Sequence, residues 1–253
     1  MFILPINRDA RPNCTPWVTY GLIGVNSILW IVLAIIGRNS EMIATYGFRP
    51  AEPSFLTLFA SMFLHVGILH VAGNMWFLWM FAPKIEARLG SSFFLLAYLM
   101  CGVGGTGLHM LFSLGSSIPC VGASGAISGV AGMYFLLFPR SPFDLALYFG
   151  WWRITTFHAL TRVAVGTWIG EQFVLGLLSQ AFNGGRGSGV AFWAHVGGFA
   201  IGLLCAALVL PKASMEEREA ILRLTPLSED ERDEIFADRV EQPSELTSLK
   251  LND

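Results

Sequence analysis

The feature that most constrains this chain is a series of six apolar runs, each about as long as a bilayer-spanning helix. They cover residues 17–37, 58–82, 93–113, 122–138, 163–182 and 191–210. No water is present in the hydrocarbon core, so every backbone N–H and C=O of such a run must be satisfied within the segment, as a helix does. The sequence therefore predicts an all-α polytopic membrane protein with a bundle of six transmembrane helices.

Charged residues are scarce and unevenly distributed. They make up 13% of the 253 residues, whereas a soluble domain contains about 25%. Residues 213–253 hold 12 acidic and 5 basic side chains, and the rest of the chain holds 6 acidic and 11 basic ones. We therefore expect a cytoplasmic N-terminal segment at 1–16, the six-helix domain at 17–211, and an acidic, partly disordered cytoplasmic tail at 212–253.

The basic residues outside the tail indicate how the helices are oriented. Six spans place both termini on one side. A cytoplasmic N-terminus leaves eight Lys or Arg residues in inside segments and three in outside segments. Both termini are therefore expected in the cytoplasm, together with an irregular segment at 139–162. Ser124 and His195 then lie at a similar depth in the extracytoplasmic half of the membrane.

The fourth run is short and begins with a serine between small residues, Gly122-Ala123-Ser124-Gly125. At a helix start, free backbone N–H groups and the positive end of the helix dipole can stabilise an oxyanion. Glycine also lets a substrate approach the backbone closely. The same segment fits a small-residue packing patch between membrane helices, so by itself it leaves catalysis and packing open.

Two stripes of small residues connect this serine to a histidine on another helix. His195 shares a helix face with Gly198 and Gly202. The matching stripe of the fourth run consists of Ser124, Ser128, Ala131 and Gly132. Such stripes let two backbones pack closely, which would bring together the nucleophile and base of acyl-transfer chemistry. The alternative is a structural histidine that bonds a neighbouring helix.

His70 and Asn74 are four residues apart on the second run and therefore share a helix face. Both can donate a hydrogen bond to negative charge that develops on a substrate carbonyl oxygen. His65 lies about 140° around the helix from His70 and is expected to brace a loop. Hydrogen bonding between helices is the alternative role for all three side chains.

Two acidic residues are candidates for a third member of the site. Asp144 is expected on the cytoplasmic side, away from His195. Glu171 lies within the fifth apolar run, but its spacing along the sequence does not place it beside His195. A Ser124–His195 dyad is therefore predicted. Glu171 stays a functional suspect because an acid at membrane depth is costly; the other polar residues noted at that depth are His109, Ser128 and Gln172.

Three other kinds of protein fit parts of this pattern. His65, His70 and His195 could bind a metal, but the sequence has no His-Glu-x-x-His motif. Paired histidines could ligate haem, which would leave Ser124 and its glycines unused. A small-solute transporter could use Glu171, but the six runs show no inverted repeat.

Four segments together resemble the signature motifs of rhomboid-family intramembrane serine proteases, of the bacterial six-helix type. They are the run from Ser61 to Asn74 with its His-x-x-x-Asn pattern, Glu86-Ala87-Arg88-Leu89-Gly90, Gly122-Ala123-Ser124-Gly125, and Ala194-His195-Val196-Gly197-Gly198 with Gly202. Their order and spacing agree with the family over about 58–205. The first outside loop differs, because Phe48-Arg49-Pro50 replaces the Trp-Arg pair of many members.

The resemblance implies cleavage of transmembrane proteins near their extracytoplasmic ends, without a cofactor. Ser124 would be the nucleophile, His195 the general base, and His70, Asn74 and the Ser124 backbone N–H the oxyanion hole. The fifth membrane helix and the following loop would act as substrate gate and cap.

The expected partners are transmembrane protein substrates and the lipid bilayer, with no nucleic acid, in a cell membrane such as the bacterial cytoplasmic membrane. A non-catalytic rhomboid-like protein that escorts membrane proteins is the alternative. Inactive relatives lose the serine or histidine or have proline beside the serine, and none of these changes is present here. The natural substrate, the oligomeric state and the roles of Cys120 and the tail stay open.

Overall fold

A computed structural model describes residues 2–7, 14–149, 152–183 and 190–209. Within these residues the chain forms eight α-helices, three β-strands and one short 3-10 helix. The helices are α1 (Trp17–Ile35), α2 (Asn39–Tyr46), α3 (Phe55–Ala60), α4 (Ile68–Leu89), α5 (Ser91–Phe112), α6 (Ser124–Leu137), α7 (Thr161–Asn183) and α8 (Phe192–Val209). The strands are β1 (Phe2–Asn7), β2 (Pro142–Phe149) and β3 (Trp152–Leu160), and the 3-10 helix is Ser61–Phe63. The predicted tail at 212–253 lies outside the described residues.

Three of the described helices, α1, α5 and α8, are long and apolar enough to cross a membrane. A fourth crossing results if α3 with its 3-10 helix forms one broken span with α4, across a bend of 87°. The apolar helix α6 has only 14 residues, and α7 carries Arg162, Glu171 and Gln172. The structure thus supports several membrane spans, while the count of six and the orientation of the termini stay predictions.

The short helix α6 forms the centre of the bundle. All its residues from Gly125 to Tyr134 are buried, and it packs against α4, α5 and α8. A helix with neighbours on every side is expected to be apolar all round, which explains why α6 has no polar face. Leu78 of α4, Tyr98 of α5 and Met133 of α6 are fully buried in the core around it.

Glycine residues bring α6 and α8 into backbone contact. A Cβ at Gly198 would collide with the carbonyl oxygen of Gly125, and one at Gly202 with that of Gly129. Gly132 faces the backbone of α8 in the same way. The predicted close contact between small-residue stripes is therefore present; on the α6 side Gly132 of the predicted stripe takes part in it, together with Gly125 and Gly129, which the stripe did not include.

A buried carboxylate joins α1 to α4. Glu86, 2% exposed, accepts hydrogen bonds from the backbone N–H groups of Val18 and Thr19 at 2.9 and 2.8 Å. The hydroxyls of Thr19 and Ser91 donate to it at 2.7 and 2.6 Å. Because α1 has no side-chain cap of its own, Glu86 satisfies the free N–H groups at its start and fixes α1 in place.

A three-stranded antiparallel sheet in the order β1-β2-β3 corrects two predictions. The chain is mostly helical rather than all-α, and the segment at 139–162, which was expected to be irregular, contains the paired strands Pro142–Phe149 and Trp152–Leu160. Strand β3 is rich in β-branched and aromatic residues, which favour strands over helices. In addition, β1, which falls within the predicted N-terminal segment at 1–16, pairs with β2.

Candidate active site

Ser124 and His195 lie next to each other although 71 residues separate them in the sequence. Ser124 is the first residue of α6, and His195 lies in the first turn of α8. The distance from Ser124 Oγ to His195 Nε2 is 2.9 Å, which is a hydrogen bond. The glycine contact between α6 and α8 permits this approach, and the pair has the geometry that an activated nucleophile needs.

Gln172 of α7 contacts the other nitrogen of the imidazole. Its Oε1 lies 2.7 Å from His195 Nδ1, and Gln172 is 8% exposed. An amide oxygen only accepts, so Nδ1 carries the proton and Nε2 is left to accept the hydroxyl proton of Ser124. The ring of Trp168, one turn earlier on α7, lies 5.9 Å from the imidazole centroid and restricts it further.

The sequence marked Gln172 as a polar residue at membrane depth without giving it a role. Its neighbour Glu171 drew attention instead, because its charge is costly there. Adjacent helix residues point about 100° apart, and in the structure Gln172 faces His195 while Glu171 is exposed and lines the cavity. Which of the two residues faces His195 depends on the rotation of α7 about its axis. Spacing along the sequence does not reveal that rotation.

His70 and Asn74 lie against the backbone just before the serine. A Cβ at Gly122 would be 2.8 Å from His70 Nε2 and 3.6 Å from Asn74 Nδ2. Gly122 has a φ of 123°, a conformation that glycine adopts readily, and its N–H donates to the carbonyl of Ser61 at 2.9 Å. Because Gly122 has no side chain, His70 and Asn74 can lie against the backbone close to Ser124.

Two nitrogens of this pair lack partners in the described part of the chain. They are His70 Nδ1 and Asn74 Nδ2, both buried, and both residues line the same cavity as Ser124. Buried polar groups without a hydrogen bond are uncommon and call for an explanation. At the level of residues, His70 and Asn74 bring side chains that can donate hydrogen bonds to the wall of the cavity that Ser124 also lines.

The remaining polar residues that the sequence marked have supporting positions. His65 is 1% exposed, its ring centroid is 5.1 Å from that of His70, and its carbonyl accepts a bond from Asn39 at 3.0 Å. Ser128 donates to the carbonyl of Ser124 within α6, at 2.7 Å. His109 lines the cavity from α5.

Cys120 belongs to the segment that leads to the nucleophile. Its backbone N–H and C=O exchange hydrogen bonds of 2.8 and 3.0 Å with Phe48. Gly47 lies so close to Pro119 that a Cβ at 47 would be 2.7 Å from it. The first loop is thereby fixed to the backbone just before Ser124.

The described residues contain no group of three or more His, Cys, Asp or Glu side chains that could hold a metal ion. Among the three histidines considered above as ligands, His195 already has both ring nitrogens in hydrogen bonds, to Ser124 and Gln172. This arrangement favours the hydroxyl–imidazole pair over the metal-site alternative.

The pair opens into a cavity of about 1160 Å³. One wall is α4, with His70, Asn74 and Phe77 among its residues, and another is α7, with Trp168 and Glu171. Residues of α6 from the serine onwards form the back, and β2 and β3 contribute to the lining as well. The cavity is mostly apolar and large enough for a segment of another polypeptide chain.

The fold and the site define a helical membrane protein with a serine–histidine pair at an apolar cavity. Comparison with known families identifies the family to which this protein belongs. Residues 52–212, more than half of the chain, match the Rhomboid domain. The chain therefore belongs to the rhomboid family and is a multi-pass membrane protein.

Several curated relatives have the same domain. Rhomboid protease GluP of Bacillus subtilis is 31% identical over 209 residues, which are 79% of this chain and 36% of that protein. Putative rhomboid protease YdcA of Bacillus subtilis is 29% identical over 142 residues, or 54% of this chain and 70% of that one. Rhomboid-like protein 11, chloroplastic, of Arabidopsis thaliana is 27% identical over 210 residues, or 76% and 69%.

Proposed function

We propose that the protein is an intramembrane serine endopeptidase that cleaves transmembrane segments of other membrane proteins through a Ser124–His195 dyad. The observation that carries this proposal is the 2.9 Å contact between Ser124 Oγ and His195 Nε2 inside an apolar cavity. Membership in a family that includes proteins named as proteases supports it.

In the first half of the reaction, Ser124 Oγ attacks the carbonyl carbon of the scissile peptide bond while His195 Nε2 accepts the hydroxyl proton. The resulting tetrahedral intermediate carries its negative charge on the former carbonyl oxygen. His195 then donates the proton to the leaving nitrogen, the C–N bond breaks, and an ester on Ser124 remains. Gln172 keeps the imidazole in the tautomer that this sequence of steps requires.

In the second half, water attacks the ester carbonyl while His195 Nε2 accepts a proton from it. The second tetrahedral intermediate collapses, the proton returns to Ser124 Oγ, and the carboxylate product leaves. Each intermediate needs hydrogen-bond donors beside its oxyanion. We assign these to His70, Asn74 and the backbone N–H of Ser124, at the positive end of α6.

The arrangement in the membrane is also part of the proposal. We place both termini in the cytoplasm and count α1, the α3–α4 pair, α5, α6, α7 and α8 as six spans, with residues 212–253 as a cytoplasmic tail. The excess of basic residues in the inside segments supports this orientation. The bacterial cytoplasmic membrane is the proposed location, supported by the Bacillus subtilis relatives.

The test combines a fluorophosphonate probe, which reacts with activated serines, with a model transmembrane substrate. We expect labelling and cleavage by the purified protein, and loss of both in Ser124→Ala and His195→Ala. Ser179→Ala, which also changes a serine on a membrane helix, is the matched control and keeps both activities.

Other outcomes identify the alternatives. Folded wild-type protein that is neither labelled nor able to cleave, yet retains membrane proteins on an affinity column, would be a non-catalytic binder. Solute flux that requires Glu171 and persists in Ser124→Ala would identify a transporter. Either result overturns the protease proposal.

A further inference from the structure

One face of the sheet belongs to the same cavity as the Ser124–His195 pair. Leu145 and Leu147 of β2 and Phe157 and Ala159 of β3 all line it. The strand register pairs Leu145 with Phe157, and side chains two residues apart on a strand point to the same side. These four side chains therefore form one apolar patch, which we call the sheet floor.

The opposite face of the hairpin has a different character. Asp144 and His158 are paired in the register, and His158 Nδ1 lies 2.5 Å from Asp144 Oδ1 there. Thr156, also on that face, is exposed. The hairpin residues that line the cavity are thus all apolar, while the opposite face carries Asp144, Thr156 and His158 together with the apolar Ala146 and Ile154.

The hairpin is held firmly at its base. The backbone N–H and the hydroxyl of Thr161 both donate to the carbonyl of Ser141, each at 2.9 Å. Lys84 of α4 donates to the hydroxyl of Ser141, also at 2.9 Å. These bonds connect the end of α6, the start of α7 and the end of α4, so the position of the sheet floor relative to the cavity walls is set by the helices.

The sheet floor lies at the opposite end of α6 from the nucleophile. Helix α6 has 14 residues and lines the cavity from Ser124 to Ala131, a stretch of about 10 Å at 1.5 Å per residue. The ionisable residues that line it are His70, His109, Glu171 and His195. The residues that line it from the strands and from the start of α7 at Val163–Val165 are apolar.

We propose that the sheet floor is a docking surface for the substrate, specifically for the apolar part of its membrane segment that extends from the scissile bond along α6. This inference rests on the proposed protease function. It commits to a substrate segment because the floor is continuous with the cavity of the Ser124–His195 pair. Such a segment must stay apolar from the cleaved bond to the sheet floor, and side chains in that part determine which proteins are cleaved.

Photocrosslinking tests the contact without requiring catalysis. A benzophenone amino acid replaces Phe157 in a Ser124→Ala background, and the same amino acid at Thr156, on the opposite face of the strand, is the matched control. With a model transmembrane substrate we expect a crosslink from 157 and not from 156. Equal crosslinking from both positions, none from 157, or a crosslink from 157 to a second copy or to residues 212–253 would overturn the proposal.

A charge on either face gives a second test. Because burying an unpaired charge against an apolar segment is costly, Phe157→Asp should lower kcat/KM for a transmembrane substrate about tenfold. Thr156→Asp adds the same charge on the other face and should change it less than twofold. Fluorophosphonate labelling of Ser124 should be retained in both.

The labelling separates the two proposals. Wild-type protein that the probe does not label contradicts the protease function itself. Labelled protein in which Phe157→Asp cleaves as well as Thr156→Asp contradicts the docking surface alone.

Discussion

The partner of the His195 imidazole is Gln172, which is neutral. In a Ser–His–carboxylate triad a negatively charged carboxylate occupies this position. An amide oxygen selects the same tautomer as a carboxylate but adds no negative charge in an apolar surrounding, where an unpaired charge would be costly. The hydrogen bond of 2.7 Å and the neighbouring ring of Trp168 orient His195 from α7. We therefore regard Gln172 as a positioning residue that acts through the base.

Removing this hydrogen bond should slow the chemical step. We expect Gln172→Leu to lower kcat about tenfold, about 1.4 kcal/mol in activation free energy, with KM little changed, because Gln172 is not among the residues that line the cavity. Gln172→Glu keeps the acceptor and should retain more activity. Gln180→Leu, two turns further along α7, is the control. Equal kcat in Gln172→Leu and Gln180→Leu would contradict the role, as would a loss of folded protein that accounts for the whole effect.

At the scale of elements, the contact between α6 and α8 determines where the nucleophile and base lie. Gly198 and Gly202 face the carbonyl oxygens of Gly125 and Gly129, with no room for a side chain. Membrane helices gain little from apolar burial against each other, so close packing of this kind carries much of their association. Widening the contact by one methyl group would separate the helices that carry Ser124 and His195.

Gly202→Ala is the direct test of this contact. Because the new methyl group meets a backbone carbonyl that cannot move aside, we expect a loss of about 1–3 kcal/mol in the free energy of unfolding. The melting temperature in detergent measures it, and probe labelling of Ser124 should fall as well. In the control Gly107→Ala on α5, a Cβ would meet nothing within 4 Å, so stability should not decrease. Similar melting of both variants would contradict this account of the packing.

For the molecule as a whole, the sequence predicts the position of a side chain where that position depends only on the helix face or the membrane depth of the residue. Matching depth and small-residue stripes predicted that Ser124 and His195 could meet, and the structure brings them to 2.9 Å. Gln172 was marked as a polar residue at membrane depth, but its role could not be assigned because the rotation of α7 is a property of its packing. The hairpin of β2 and β3 was missed because its apolar residues line a cavity whose walls include α4, a helix distant in sequence.

The orientation of the whole chain can be measured directly. In right-side-out membrane vesicles of a Cys14→Ser variant, which removes an exposed thiol, we expect a membrane-impermeant maleimide to label Ser40→Cys. Thr156→Cys, in the hairpin, should react only after the membrane is opened, because the basic residues predict a cytoplasmic position there. The reverse pattern would contradict the orientation proposed above.

Gln172 belongs to α7, the helix that is expected to act as substrate gate. The same helix therefore also orients the imidazole of His195. An outward displacement of α7 that admits a substrate lengthens the 2.7 Å contact with His195 Nδ1, and the imidazole then loses the partner that selects its tautomer. If the protein is the protease proposed above, its open state would therefore be inactive, and reactivity would return only when α7 closes over a bound segment. Lipid or water that enters the open cavity would therefore contact a serine that His195 does not yet activate.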